Sequence, residues 1–426
     1  MMNPDRKKGI EFNIKYWYIF FSAFYYFPIM LRNYRFLTYM YYYLVPLIFF
    51  LFNLKWILKK IKQLFTKSML IFPICYLCMC IGAFIIPTIL NTGDYSYLLD
   101  GPLASIAKKS IALFFLLLIY EKNVSKTPDI YEFMQYYIYS VILYILVTFL
   151  ICIIPSMHDW VIENIYLTDF QRKKIVEATS YTRIGWGGFS VFGYTLQCSF
   201  AVICSSIMVF YYKNQRKLFW KFNCCIFILL IGNMLYGRSG LVISAVNIVV
   251  LLVTLYLDKQ SKVLVYPFCC WAVISIILFF KERSEKIQNW YNWCFSVIQN
   301  FIDTGKLTTG SLESMYRMYF IPSFETLAVG EGRYMDGDLY YRSVDIGWLR
   351  PILYYGLFYS LLGYTAVVRL FFVVKERLQE LKGNEKNAIL LMWLLTLFFA
   401  ELKGEIFYEV TALLLPVCVL DNSKGG

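Results

Sequence analysis

Apolar residues fill twelve long blocks of this chain, at 16–31, 36–54, 69–90, 103–120, 133–154, 189–212, 219–236, 240–257, 263–280, 346–370, 387–400 and 406–420. A bilayer core takes roughly 20 such residues per helix. The pattern therefore predicts an all-α, polytopic transmembrane helix bundle of about twelve spans, residues 1–426 forming one integral membrane domain. The first, eleventh and twelfth blocks are short, which leaves a margin of one or two on that count. Most polar breaks are brief, but two are long enough to build a site: 155–188 and 281–345. The second opens with Ile287, Trp290, Cys294, Val297, Ile298 and Phe301 at helical spacing, with Lys286, Gln288 and Gln299 elsewhere on the wheel. That spacing predicts an amphipathic helix in the membrane interface, either capping the bundle or guiding a lipid-linked substrate. No internal repeat of the inverted-transporter kind is visible.

Composition agrees with lipid as the main solvent. The chain is 59% hydrophobic and only 16% charged, whereas soluble domains are nearer half apolar and a quarter charged. The formal charge of +13 raises nucleic acid as a partner, but Lys and Arg alternate between breaks, which argues against it. One set of breaks holds Arg6, Lys7, Lys8 and Lys15; Lys55, Lys59, Lys60, Lys62 and Lys67; Lys122 and Lys126; Lys213, Arg216, Lys217 and Lys221; Lys259 and Lys262; Lys375, Arg377, Lys382 and Lys386; and Lys424. The short breaks of the other set hold only Arg32, Arg35, Lys108, Lys109, Arg238 and Lys403. Positive loops stay in the cytoplasm, so both termini are expected there and both long loops outside. Met1 to Lys8 lead into the first block without a small-residue cleavage site, so that block is expected to remain as an anchor. Cysteines such as Cys75, Cys78 and Cys80 sit inside apolar runs, and only Cys294 falls in a predicted outer loop. A disulfide framework is not expected. The Cys75 cluster has no His or carboxylate nearby to complete a metal site.

Several polar residues stand out against this background. Tyr236, Gly237, Arg238, Ser239 and Gly240 join two apolar runs with almost no loop, holding a guanidinium at the membrane edge, where it needs a partner. Asn233, Gly237, Gly240, Ser244 and Asn247 recur on one helical stripe, facing the bundle either for close packing or for a polar site. Arg183 precedes Gly185, Gly187, Gly188 and Gly193 where the first loop re-enters the membrane; this is either a flexible turn or a close approach to a ligand. The second loop carries Arg317, Arg333, Arg342 and Arg350 with Glu313, Glu325, Glu331, Asp336, Asp338 and Asp345. Guanidinium forks match phosphate oxygens in bidentate geometry, whereas ammonium groups do not. Lys108 and Lys109 are expected to snorkel outward from the fourth span. Glu401, Lys403, Glu405 and Glu409 form either an ion network or part of the site. The single histidine, His158, lies in the first long loop and is not expected to be catalytic.

These features together resemble the Wzy-type polymerases of O-antigen and related surface polysaccharides, within the O-antigen polymerase and ligase superfamily. The resemblance rests on the layout of spans and two large outer loops and on the turn Gly237-Arg238-Ser239-Gly240. It rests also on the stretch GEGRYMDGDLYYRSVDIGWLRPILYYGLFYSLLGY and on the late Glu401-Leu402-Lys403-Gly404-Glu405 turn. It implies a bacterial inner-membrane enzyme acting on undecaprenyl-pyrophosphate-linked oligosaccharide repeat units at the outer face, by inverting, metal-independent glycosyl transfer with no cofactor. Membrane lipids are partners, and a chain-length regulator protein is a further candidate. Carried onto this chain, Asp345 is the candidate base, with Glu331 and Asp336 as rivals, and Arg238 is grouped with the catalytic set. Arg183, Arg317, Arg333, Arg342 and Arg350 are candidates for the pyrophosphate and glycan. The ligase branch expects a histidine near position 345, and this chain has none there, which favours polymerase over ligase. A lipid-linked oligosaccharide flippase, a transporter, should instead carry cations deep in many spans.

Overall fold

A computed structural model of the chain describes residues 4–169, 171–172, 175, 184–189, 192–259, 285–306, 310–337 and 339–421. The ninth predicted span, 263–280, lies outside the described residues. Helices cover the other eleven blocks. They are α1 (Pro4–Tyr26), α2 (Arg35–Phe52), the short amphipathic α3 (Leu54–Leu64), α4 (Ile71–Ile89), α5 (Pro102–Ile119), α6 (Ile130–Ile153) and α7 (Pro155–Asn164). After the β1–β2 hairpin (Ile184–Gly185, Gly188–Phe189) come α8 (Gly193–Tyr211), α9 (Arg216–Tyr236) and α10 (Arg238–Leu257). The second long loop contains α11 (Glu285–Thr304), α12 (Gly310–Met318), α13 (Phe324–Val329) and the β3–β4 hairpin (Met335–Asp336, Leu339–Tyr340). The chain ends in α14 (Leu349–Arg377), α15 (Gly383–Glu401) and α16 (Phe407–Val419). Among the described residues eight helical stretches are long and apolar enough to cross a membrane, and α16 is a shorter apolar helix. The protein is an all-α, polytopic membrane bundle.

Burial identifies the centre. In the apolar window of α8, 89% of residues are buried inside the protein, against 39% in α4 and α10, so α8 is the core helix and the others expose lipid-facing stripes. It packs along α9 and also against α6, α10 and α15, while α14 packs on α4 and α16 on α5. The small polar stripe predicted on α9 and α10 does face the bundle. Asn233 accepts from Thr195 at 2.7 Å and donates to Ser244 at 2.8 Å, and Asn247 donates to Thr396 at 2.9 Å. A Cβ on Gly240 would lie 1.8 Å from Thr195 Oγ1, so only glycine permits this approach.

Two departures from the hydropathy pattern have local reasons. The first helix ends at Tyr26 and not near 31, because Pro28 has no N–H to continue it. Residues 30–32 then pair with the first long loop: Tyr166 N–H donates to Met30 O at 2.7 Å and Arg32 N–H to Asn164 O at 2.8 Å. The second difference is a break inside α14, where Tyr355 and Gly356 leave helical geometry, Gly356 at φ +83°. The predicted amphipathic helix forms as α11 and docks through Trp290, whose indole N–H donates to Met234 O at the end of α9 at 3.0 Å.

Candidate functional site

The break in α14 is where the site begins. Interrupting a helix frees carbonyls that a membrane interior cannot hydrate. Here Leu353 O accepts Glu331 N–H at 2.7 Å and Tyr354 O accepts Gly332 N–H at 2.9 Å. The Gly330-Glu331-Gly332 segment thus lies against the broken turn. Gly330 has φ +83°, and a Cβ there would be 2.6 Å from Tyr354 O. Gly330, the first residue of the quoted GEG stretch, is needed for this docking, which fixes where Glu331 stands.

A second clamp comes from the connection after α4, which the sequence reading did not single out. Thr92 donates to Gly332 O at 2.5 Å. Asp94 accepts the backbone N–H groups of Tyr334 at 2.6 Å and Met335 at 3.1 Å, and its other oxygen accepts from Ser96. Burial acts to raise the Asp94 carboxyl, but the hydrogen bonds from Ser96, Tyr334 and Met335 outweigh it and hold the group below its ordinary value.

Held in this way, Tyr334 is buried beside Arg350 in the first turn of α14. The Arg350 guanidinium donates to the Tyr334 hydroxyl, lies 3.4 Å from the ring centre of Tyr340 on β4, and has Nε 3.6 Å from Glu405. Glu405, in the turn between α15 and α16, also accepts from Tyr97 at 2.5 Å and from Tyr334 at 3.2 Å. Burial pushes the Glu405 carboxyl up, opposed by Arg350 and by the two tyrosines. Tyr334 is likewise raised by burial and by Glu405. Tyr97 completes the wall by stacking on Tyr354 at 4.7 Å. None of these tyrosines was singled out in the sequence; among 37 tyrosines, no spacing marks the few that converge.

Asp345 sits at the mouth of this cluster. Its carboxylate is 4.0 Å from Arg350 Nη1 while its side chain is 57% exposed. Surrounding protein raises the carboxyl above its ordinary value, opposed by Arg350 and Lys403. The next residues are fixed by Gly347, whose N–H donates to Glu401 O at 2.9 Å and where a Cβ would meet the Glu401 carboxylate. Glu401 itself accepts the N–H groups of Ile406 and Phe407 at 2.8 and 2.9 Å, satisfying the start of α16.

The remaining candidates divide into separate places. Glu331 accepts from Thr326 at 2.9 Å, Tyr341 at 2.7 Å and Arg342 at 2.8 Å. Arg342 is half-exposed and stands at φ +55°, followed by Ser343 at +56°. Two successive non-glycine residues in the left-handed region store strain, which concentrates at functional positions. Arg333, Asp336 and Arg317 are exposed, the last on α12. Arg238 begins α10 and donates to Ser296 on α11, with its guanidinium 5.4 Å from the Trp293 ring. That contact places it with the amphipathic helix. Arg183 and Asp338 lie outside the described residues. His158 is buried 3.6 Å from Asp159.

Lysines 108 and 109 part company. Lys108 is exposed near Asp100, but Lys109 turns inward and pairs with Glu409 of α16, both lining a cavity. The outward snorkelling expected from sequence holds for Lys108 alone. Lys109 stays inside because Glu409 offers a carboxylate at the same depth.

No protein-family model matches this chain, and neither a curated protein nor a solved structure matches it.

The arrangement combines an accessible carboxylate and a buried guanidinium behind it, with Arg333 and the half-exposed Arg342 elsewhere on the same loop. Such a set can take a proton from a hydroxyl and stabilise negative charge that develops on a phosphate leaving group.

Proposed function

We propose that the protein is a membrane glycosyltransferase that polymerises undecaprenyl-pyrophosphate-linked oligosaccharide repeat units at the outer face of the bacterial cytoplasmic membrane. The observation that carries this reading is the placement of Asp345, more than half exposed, 4.0 Å from the buried Arg350, on the same loop as Arg333 and Arg342. The positive-inside pattern supports an outward position for that loop.

In this reading the acceptor sugar hydroxyl gives its proton to Asp345 as its oxygen attacks the anomeric carbon of the donor. The new C–O bond forms on the face opposite the pyrophosphate, so the configuration inverts. The old C–O bond breaks, and its electron pair leaves with undecaprenyl pyrophosphate. Arg333 and Arg342 meet that charge as bidentate forks in place of a metal ion. Arg350, buried against Glu405, is a positioning residue that fixes Tyr334, Tyr340 and the field at Asp345. Glu331 is less suited to be the base, since three donors already occupy its oxygens; it holds Arg342.

Deleting the gene and resolving the surface polysaccharide on a gel tests the reading. One repeat unit per anchor is expected. Unchanged chain lengths overturn it, complete loss of capped core replaces it with a ligase, and cytoplasmic build-up of lipid-linked units replaces it with a flippase.

A further inference from the structure

A cavity of about 320 Å³ lies between α1, α5, α8 and α16, at the end of the bundle that carries the long loops. Small-ligand pockets run from about 300 to 1,000 Å³, so it has room for a single small ring. Three features define its chemistry. Tyrosines 26, 42 and 194 contribute aromatic walls. Lys109 and Glu409 form an ion pair in its lining, with side chains 34% and 14% exposed. Gln197 also lines it; its side-chain oxygen accepts from Tyr137 at 2.7 Å, which leaves the amide N–H groups to offer.

We infer that this cavity is a binding site for a neutral sugar ring, separate from the Arg350 cluster. The lining selects by charge. A free anion would meet Glu409 and a free cation Lys109, each at a cost that their mutual pairing does not remove. A neutral ring with adjacent hydroxyls avoids that conflict, since one hydroxyl accepts from Lys109 while its neighbour donates to Glu409. The apolar face of the same ring packs on tyrosine. A purely apolar occupant would leave the amide of Gln197 without a partner.

Lys109 Nζ lies 5.4 Å from the ring centre of Tyr408 on α16, the helix that follows the Glu405 turn. The first long loop contributes Thr168 and Gln171 to the lining. That the ring belongs to the acceptor repeat unit rests on the polymerase reading; the binding itself does not.

The test uses the full chain in lipid nanodiscs and saturation-transfer NMR with four free probes: galactose, N-acetylglucosamine, glucuronate and glucosamine. The two neutral sugars are expected to bind, with both charged ones about tenfold weaker or more. Gln171→Ala, which removes side-chain bonds to Thr168 N–H and Phe189 O as well as a lining amide, and Glu409→Gln should each weaken the neutral sugars several-fold, while Asp345→Asn leaves binding unchanged. Absence of transfer to either neutral sugar, tighter binding of glucuronate, or full binding by the Lys109→Met/Glu409→Gln pair overturns the assignment. Sugar binding together with normal polymer after gene deletion removes the polymerase reading and keeps the site. Loss of polymer with no sugar binding removes the site alone.

Discussion

Arg350 and Glu405 meet inside the protein, guanidinium Nε to carboxylate at 3.6 Å, with side chains 7% and 0% exposed. Arg350 comes from the first turn of α14 and Glu405 from the turn before α16. Neither charge can be left alone at such burial. Glu405→Gln or Arg350→Met is therefore expected to lower stability by about 3–5 kcal/mol, while the double change Arg350→Met/Glu405→Leu recovers most of it. Thermal unfolding of the detergent-solubilised protein followed by size-exclusion chromatography reads this. Equal losses in the single and double variants would mean that the pair is not a unit.

Asp345 is predicted to matter for chemistry and not for folding. A side chain that is 57% exposed contributes within about 0.5 kcal/mol to stability, so Asp345→Asn should accumulate normally and yield single-repeat glycans. Its raised carboxyl acts as base only when ionised, so turnover of lipid-linked repeat units in vesicles should fall as pH drops through a value above 3.8. Normal polymer from Asp345→Asn with loss in Glu331→Gln transfers the role to Glu331.

Asp94 has the opposite shift and a structural consequence. Its folded-state carboxyl lies below the ordinary 3.8, so the stability it lends to the 332–335 segment is present above that value and lost as pH falls through the lower folded one. Hydrogen exchange at Tyr334 and Met335, corrected for intrinsic rates, should accelerate in that acid window. Asp94→Asn should exchange fast already at neutral pH and lose the acid step. Slow exchange in Asp94→Asn would show that Thr92 suffices as the clamp.

Gly330 is expected to tolerate no side chain. Gly330→Ala adds left-handed strain of about 1–3 kcal/mol and forces the Glu331 and Gly332 N–H groups off the Leu353 and Tyr354 carbonyls. Gly383→Ala, which meets nothing within 4 Å, serves as the control. Comparable melting temperatures for the two variants would count against the docking described.

Arg238 gives a graded prediction. Arg238→Ala should shorten the polymer at normal protein level, and Arg238→Lys should restore it only partly, since a point charge does not reproduce the bidentate phosphate contact of a guanidinium. Full activity of the lysine variant would reduce Arg238 to a membrane-edge anchor.

The pattern of apolar blocks by itself determined the membrane class, the helical architecture, the places of eleven described helices, the inward-facing Asn233-to-Asn247 stripe and the amphipathic helix at 285–304. Each follows from residues near one another in the chain, where periodicity and block length report the solvent a segment faces. The glycines at 330, 332 and 356 were visible, but their purpose was not, because the broken turn of α14 that they fit lies more than 20 residues from Gly330. Tertiary structure alone decided which charges meet. Tyr97, Tyr334, Arg350 and Glu405 span over 300 positions, and Lys109 finds Glu409 across 300. Such pairings arise when helices close on one another and every buried charge must take whatever partner lies at its own depth. One helix at a time, the chain states where it is apolar; only the closed bundle states which of its few polar groups stand together.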